Sequence, residues 1–286
     1  MAENISGLVY HAILNNFFTK LKNTVLPMPL TTDTESFAVN TGFSLPDSFH
    51  KLLENCVDEV FNSFPSFIPD GKARMSALTA RLLRAGKKDF QYHLENCLAG
   101  FLSRFAGCLV TGSESYYQAQ RDTYIMKGFV DCILKDTSDK YIIIDFKLKH
   151  MPSRADCVGS FDENSAEEEK PLADFQLPMY ITLTEENENF KVYTALFYSI
   201  IDFKDEVIFA DDKIARESEW YNKIFEEFNN KTEQFAREIA AGNFSIFAGN
   251  SAANIKNNSG CYDCEYQRIC RTVYIIDREN NLLGKY

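Results

Sequence analysis

GFVDCILKDTSDKYIIIDFK, residues 128–147, decides how the rest of the chain is read. Two runs rich in β-branched and aromatic residues, 124–134 (YIMKGFVDCIL) and 141–147 (YIIIDFK), flank the polar turn KDTSDK, which predicts a pair of strands. Side chains alternate along a strand, so Tyr141, Ile143, Asp145 and Lys147 share one face and Ile142, Ile144 and Phe146 the other. By the same rule Asp131 shares a face with Ile125, Phe129 and Ile133. Charged groups leaving apolar strands cost free energy unless they pair or bind a metal. Two acids on paired strands, with a lysine beside one of them, can hold a divalent cation and a polarised water.

The chain has 286 residues, 45% hydrophobic, with 24 Phe and 14 Tyr, enough for one large domain or two small ones. No run of about 18 apolar residues is present, so no membrane helix is expected. The N-terminal stretch MAENISGLVYHAIL lacks the basic region of a signal peptide, and a reducing cytoplasm is the expected setting. A net charge of −11 argues against a freestanding, sequence-independent nucleic-acid binder. Two local basic stretches soften that objection: Arg74, Arg81, Arg84, Lys87 and Lys88, and Lys147, Lys149, His150 and Arg154. They read equally as solvated helix surface. Much of the acid lies in DENSAEEE (162–169) and TEENEN (184–189). Of the eight cysteines, 56, 97, 108, 132 and 157 sit singly among apolar neighbours and read as buried thiols, while 261, 264 and 270 are clustered.

Residues 5–22 show helical period, with an apolar stripe of Tyr10, Ile13, Leu14, Phe17, Phe18 and Leu21. His11 borders that stripe and by itself reads as a core or boundary histidine. Residues 23–47 hold three prolines and read as a loop or irregular insertion. Residues 48–67 and 73–106 are helical in pattern, the second with a possible break at Gly86. Strand character begins near Cys108, pauses at Arg121 and resumes in the organising pair; Glu114 lies in the first of these strands and, taken alone, reads as solvent-facing. Residues 150–170 are a polar loop or lid. A short helix is expected from Pro171 with a kink at Pro178, placing Gln176 and Tyr180 on one face. A strand over 190–203 and a long amphipathic helix over 213–241 follow, the latter with Ile214, Trp220, Ile224, Phe225, Phe228, Phe235 and Ile239 inward. Helices, three strands, helix, strand, helix predicts an α/β core with a mixed sheet and an inserted helical region.

Taken in order, the motifs resemble the RecB-like branch of the PD-(D/E)XK nucleases. The resemblance is carried by G-x-x-x-H (Gly7, His11), the strand Glu114, G-x-x-D (Gly128, Asp131), I-I-D-F-K (Ile143 to Lys147), Q-x-x-x-Y (Gln176, Tyr180) and C-x2-C-x5-C (Cys261, Cys264, Cys270). Each is weak alone; six in sequence are specific. The resemblance implies a restriction-endonuclease-like α/β fold: a mixed sheet flanked by helices, with a helical N-terminal insertion. It implies a single nuclease domain over 1–286: a helical region 1–106 with the insertion at about 23–106, a catalytic core 107–203, and a C-terminal helix and cysteine segment 204–286, cut from a longer chain.

For the site, the resemblance implies His11, Asp131, Asp145 and the Phe146 carbonyl as ligands of Mg²⁺ or Mn²⁺. Lys147 and, with less weight, Glu114 would assist, and Gln176 and Tyr180 would position the site or the DNA, with Lys149 and Arg154 as further DNA contacts. In relatives the three terminal cysteines join a fourth, upstream of the first helix, around a [4Fe–4S] cluster; here no cysteine precedes His11. The implied activity is a metal-dependent deoxyribonuclease, an exonuclease of double-strand-break processing fed single-stranded DNA by a helicase partner. A standalone CRISPR-associated or phage-type nuclease, and a catalytically silent scaffold of the same fold, are the alternatives.

Overall fold

The computed structural model describes residues 3–31, 43–63, 77–148, 151–158 and 172–242. The expectations for Arg74, Lys149, His150, the 162–169 segment and Cys261, Cys264 and Cys270 fall outside these residues. The chain divides into two compact units, Met1–Thr232 and Glu233–Tyr286.

The first unit opens with α1 (Glu3–Lys20), whose aromatic and aliphatic stripe is buried as its period requires. A two-residue pair of strands, β1 (Leu30–Thr31) and β2 (Phe43–Ser44), marks the segment read as irregular, and α2 (Asp47–Asn62) follows. Gly86 does interrupt the next helical stretch, separating α3 (Ala77–Ala85) from α4 (Lys87–Phe105).

The organising pair becomes the centre of a five-stranded sheet among the described residues. Its strands are β3 (Leu109–Gln120), β4 (Ile125–Lys135), β5 (Tyr141–Lys147), β6 (Val192–Ser199) and β7 (Asp205–Phe209), hydrogen-bonded in that order. Only the β5–β6 contact is parallel, so the sheet is mixed. Between β5 and β6 the chain crosses through α5 (Arg154–Val158) and α6 (Gln176–Asn187), and α7 (Glu219–Ala240) comes last. One core lies between the sheet and α1, α2 and α4; the other lies under α6 and α7.

The alternation read from β5 holds: Ile142, Ile144 and Phe146 enter the first core and Ile143 the second. Phe146 stacks on Phe18 of α1 at 5.6 Å and 19° and lies 5.7 Å from the Phe101 ring of α4. These rings lock the helical layer onto the C-terminal end of β5, where Asp145 and Lys147 emerge. The five scattered cysteines are buried free thiols, and no described helix is long and apolar enough to cross a membrane.

Three sequence expectations are corrected. The helix expected from Pro171 starts at Gln176, so Pro178 falls in its first turn, where an N–H has no intrahelical partner anyway, and no kink is needed. The last helix begins at Glu219 rather than 213. It buries Tyr221, Ile224 and Phe228, whereas Phe235 and Ile239 are 44% and 61% exposed. Strand alternation in β4 slips at Asp131: Val130 and Ile133 both enter the second core, Cys132 and Leu134 the first, and Ile125 and Phe129 are exposed. Glu114, opposite Asp131 in the β3–β4 register, has φ 44, the irregularity that lets the ribbon change face there.

Candidate active site

Three elements supply the tightest cluster, at the point where β3 and β4 change face. α1 brings His11, β3 Glu114, β4 Asp131, and one ligand atom from each lies within 4.8 Å of the other two. His11 Nδ1 is 3.4 Å from Asp131 Oδ2, and the same oxygen accepts the Phe146 backbone N–H at 2.9 Å. Glu114 is half-buried, contrary to the solvent-facing reading, because its left-handed backbone turns it out of the plain alternation.

Asp145 and Lys147 leave β5 on the face predicted. Asp145 is 2% exposed; its Oδ1 accepts a hydrogen bond from Gln176 Nε2 at 2.5 Å. Its Oδ2 is 2.8 Å from Lys147 Nζ, but the approach is too oblique for a hydrogen bond and no other donor reaches it. Lys147 Nζ donates to Gln176 Oε1 at 2.5 Å and lies 5.0 Å from the Phe197 ring centroid. Gln176 also donates to the Tyr180 hydroxyl at 2.9 Å, so one amide holds the aspartate, the lysine and the tyrosine together. The Gln176 backbone N–H in turn donates to Asp174 Oδ1 at 2.7 Å. Asp174 was not singled out from the sequence; an aspartate two residues before a helix-starting glutamine is the available signal.

Electrostatics follow from the crowding. Burial, then the charge of Asp145, push the Asp131 carboxyl well above the usual carboxylate range; Glu114 adds to the shift, while the Phe146 N–H and Lys147 oppose it. Asp145 is raised by burial, against Lys147 and with a contribution from Asp174. Glu114 is raised by burial and by Asp145. Burial, then the nearby Lys147 charge, lower His11, which favours the neutral imidazole that can act as a ligand. Burial raises Tyr180, keeping its hydroxyl protonated.

This arrangement has three crowded carboxylates, an imidazole, and one aspartate oxygen in contact with a lysine but without a hydrogen bond. A hard divalent cation suits that donor set. The tightest cluster contains Glu114 rather than Asp145, whose carboxylate is turned to Gln176 and Lys147. Arg154 opens α5, with its guanidinium 5.8 Å from the Trp220 ring and its backbone N–H on Glu206 of β7; these are its described partners. Cys261, Cys264 and Cys270 would supply three of the four thiolates a [4Fe–4S] cluster takes, and all three lie outside the described residues.

The motif glycines differ in their physical need. A Cβ on Gly7 would meet only Leu148, at 4.0 Å. A Cβ on Gly128 would lie 3.3 Å from Met179, 3.4 Å from Leu183 and 3.6 Å from Tyr180, so bare backbone lets α6 approach β4. Gly128→Val is expected to cost about 1–3 kcal/mol in denaturant unfolding. It should also lower activity by moving Tyr180 and, through it, Gln176. Unchanged stability and activity would contradict the close-approach role.

The model of the PD-(D/E)XK nuclease superfamily matches residues 2–271. No curated protein and no solved structure matches the chain. The matched span includes the mixed sheet, the covering helices and every element of the acidic site. The chain belongs to the PD-(D/E)XK nuclease superfamily.

Proposed function

We propose that the chain is a metal-dependent deoxyribonuclease of the RecB-like branch, closest to the nuclease domains of AddB/RecB-type helicase–nucleases. The observation that carries this reading is the crowding of half-buried Asp131 and Glu114 with buried Asp145 beside a lysine clamped by Gln176. Each of these residues stands at a motif position.

His11, Asp131 and Glu114 would hold Mg²⁺ or Mn²⁺, and Asp145 and the Phe146 carbonyl are the further ligands that the motif order implies. When bound, such an ion polarises the scissile phosphate and makes water more acidic. The Phe146 N–H fixes the rotamer of Asp131. Gln176 keeps Asp145 and Lys147 in place, so Lys147 can orient the attacking water and meet the charge that develops on phosphorus oxygens. Tyr180 buttresses Gln176 from the next turn of α6.

A helicase partner that delivers single-stranded ends, as in double-strand-break processing, reconciles this chemistry with a net charge of −11: delivery replaces electrostatic capture. The five buried free thiols suit the reducing cytoplasm. Cleavage of end-labelled single-stranded DNA, linear and covalently closed, in Mg²⁺, Mn²⁺ or EDTA tests the reading. Metal-dependent loss of the linear form with survival of the circle is expected of an exonuclease. Cleavage that persists in EDTA would defeat the reading.

A further inference from the structure

The β3–β4 ribbon continues past Glu114 and Asp131, and its two faces differ sharply. One face packs Tyr117, Ala119, Met126 and Val130 into the second core. The other carries three in-register pairs, Tyr116 with Phe129, Gln118 with Lys127 and Gln120 with Ile125, and all six residues are exposed. Tyr116 is 49% and Phe129 53% exposed, yet their rings are ordered against each other, centroids 5.1 Å apart at 52°. The Tyr116 hydroxyl donates to Gln118 Oε1 at 3.2 Å, bracing the ring from the next pair.

From this face we propose that the outer side of the β3–β4 ribbon is a stacking platform for single-stranded DNA, on which Tyr116 and Phe129 receive the bases next to the phosphate being cut. The inference rests on the nuclease reading and extends it to how substrate is held. Three observations favour this occupant over a protein partner. The aromatic pair adjoins the candidate site along the same two strands, the Tyr116 and Phe129 backbones lying two residues, about 7 Å, from Glu114 and Asp131. Of the other four side chains, Gln118, Gln120 and Lys127 carry hydrogen-bonding or charged groups that suit phosphates and base edges, and Ile125 is apolar. Lys127 has no acidic partner among the described residues, leaving a charge available to a phosphate on a chain that is acidic overall. Every base offers a π-face, so such a platform gives affinity without sequence preference and without many cations.

The platform has a thermodynamic signature. A binder that relies on many phosphate contacts loses affinity steeply with salt, whereas one dominated by stacking, with Lys127 as its charge, has a slope of about one or less. The test uses the full chain in EDTA, with a fluorescently labelled oligothymidylate of roughly 20 nucleotides. The Tyr116→Ala/Phe129→Ala double variant is expected to bind about tenfold to a hundredfold more weakly than the parent, with its melting temperature preserved because both rings are exposed. A Tyr116→Trp variant should retain binding, with indole emission quenched as the oligomer binds. In Mn²⁺, the double variant should show a raised KM for the same oligomer with kcat little changed. Equal affinity of parent and double variant, or no binding by the parent, overturns the proposal and leaves the face to a protein partner. Failure of the nuclease reading would appear separately, as absence of cleavage by the parent, with the EDTA binding comparison still decisive for the platform.

Discussion

Asp131→Asn is expected to abolish metal-dependent cleavage, a loss of about 10³-fold, and also to raise the melting temperature of the metal-free protein. Both effects come from the same crowding. Burial and the charge of Asp145 hold the Asp131 carboxyl well above the usual range. A folded-state pKa above the unfolded one means that the folded protein keeps the proton more tightly, so ionising the group at neutral pH costs stability. That penalty is absent below about pH 4, grows as pH rises toward the raised pKa, and is complete above it. Asparagine keeps an acceptor for the Phe146 N–H and removes the charge. A gain of about 1 kcal/mol moves the melting temperature by about 2–4 °C in a protein of this size. Calorimetry in EDTA across that pH range checks it. A melting temperature at or below the parent's at neutral pH would mean the acids are adequately paired, and the site would lose its reason to take a cation.

Lys147→Ala is expected to be equally inactive but to shift stability the other way. The lysine is the cation in contact with Asp145 Oδ2, an oxygen with no hydrogen bond. Without it, Asp145 keeps only its Gln176 contact, and its carboxyl moves further above the usual range. The variant loses on the order of 2 kcal/mol at neutral pH, and the deficit shrinks as acidification protonates Asp145 in both proteins. Activity is expected to fall by about 10²–10³-fold in kcat if Lys147 meets the developing charge as proposed, while affinity for Mn²⁺ is retained or improved. Two inactive variants of opposite stability are hard to obtain from a structural ion pair. They follow directly from an acid cluster with one lysine. A Lys147→Ala chain as active as its parent would remove the lysine from the chemistry.

The centre of the fold was readable from residues 124–147 because alternation, turn chemistry and the placement of Asp145 and Lys147 agree there. The stripe of α1 was equally plain. Glu114 was not: its position depends on a positive φ at a non-glycine residue and on a change of face that has no periodic signal. The same slip explains why Asp131 parts company with Ile125 and Phe129, which simple alternation placed beside it. Pro178 misled because a proline in a helix's first turn and one in its interior read alike until the start is known. β7 escaped notice because five residues, DEVIF, carry too short a pattern to distinguish from loop. The coupling of Gln176 to both Asp145 and Lys147 is a property of the parallel β5–β6 crossover, which brings α6 back over β5, and no local stretch encodes it.

The most direct measurement is calorimetric titration of Mn²⁺ into the metal-free protein at neutral pH, alongside Asp131→Asn. Saturable binding by the parent, released when the pH drops into the range that protonates the three raised carboxyls, and lost in the variant, is the expected result. Absence of binding by the parent, or binding that Asp131→Asn leaves unchanged, would contradict the assignment of His11, Glu114 and Asp131 as the metal centre of this nuclease.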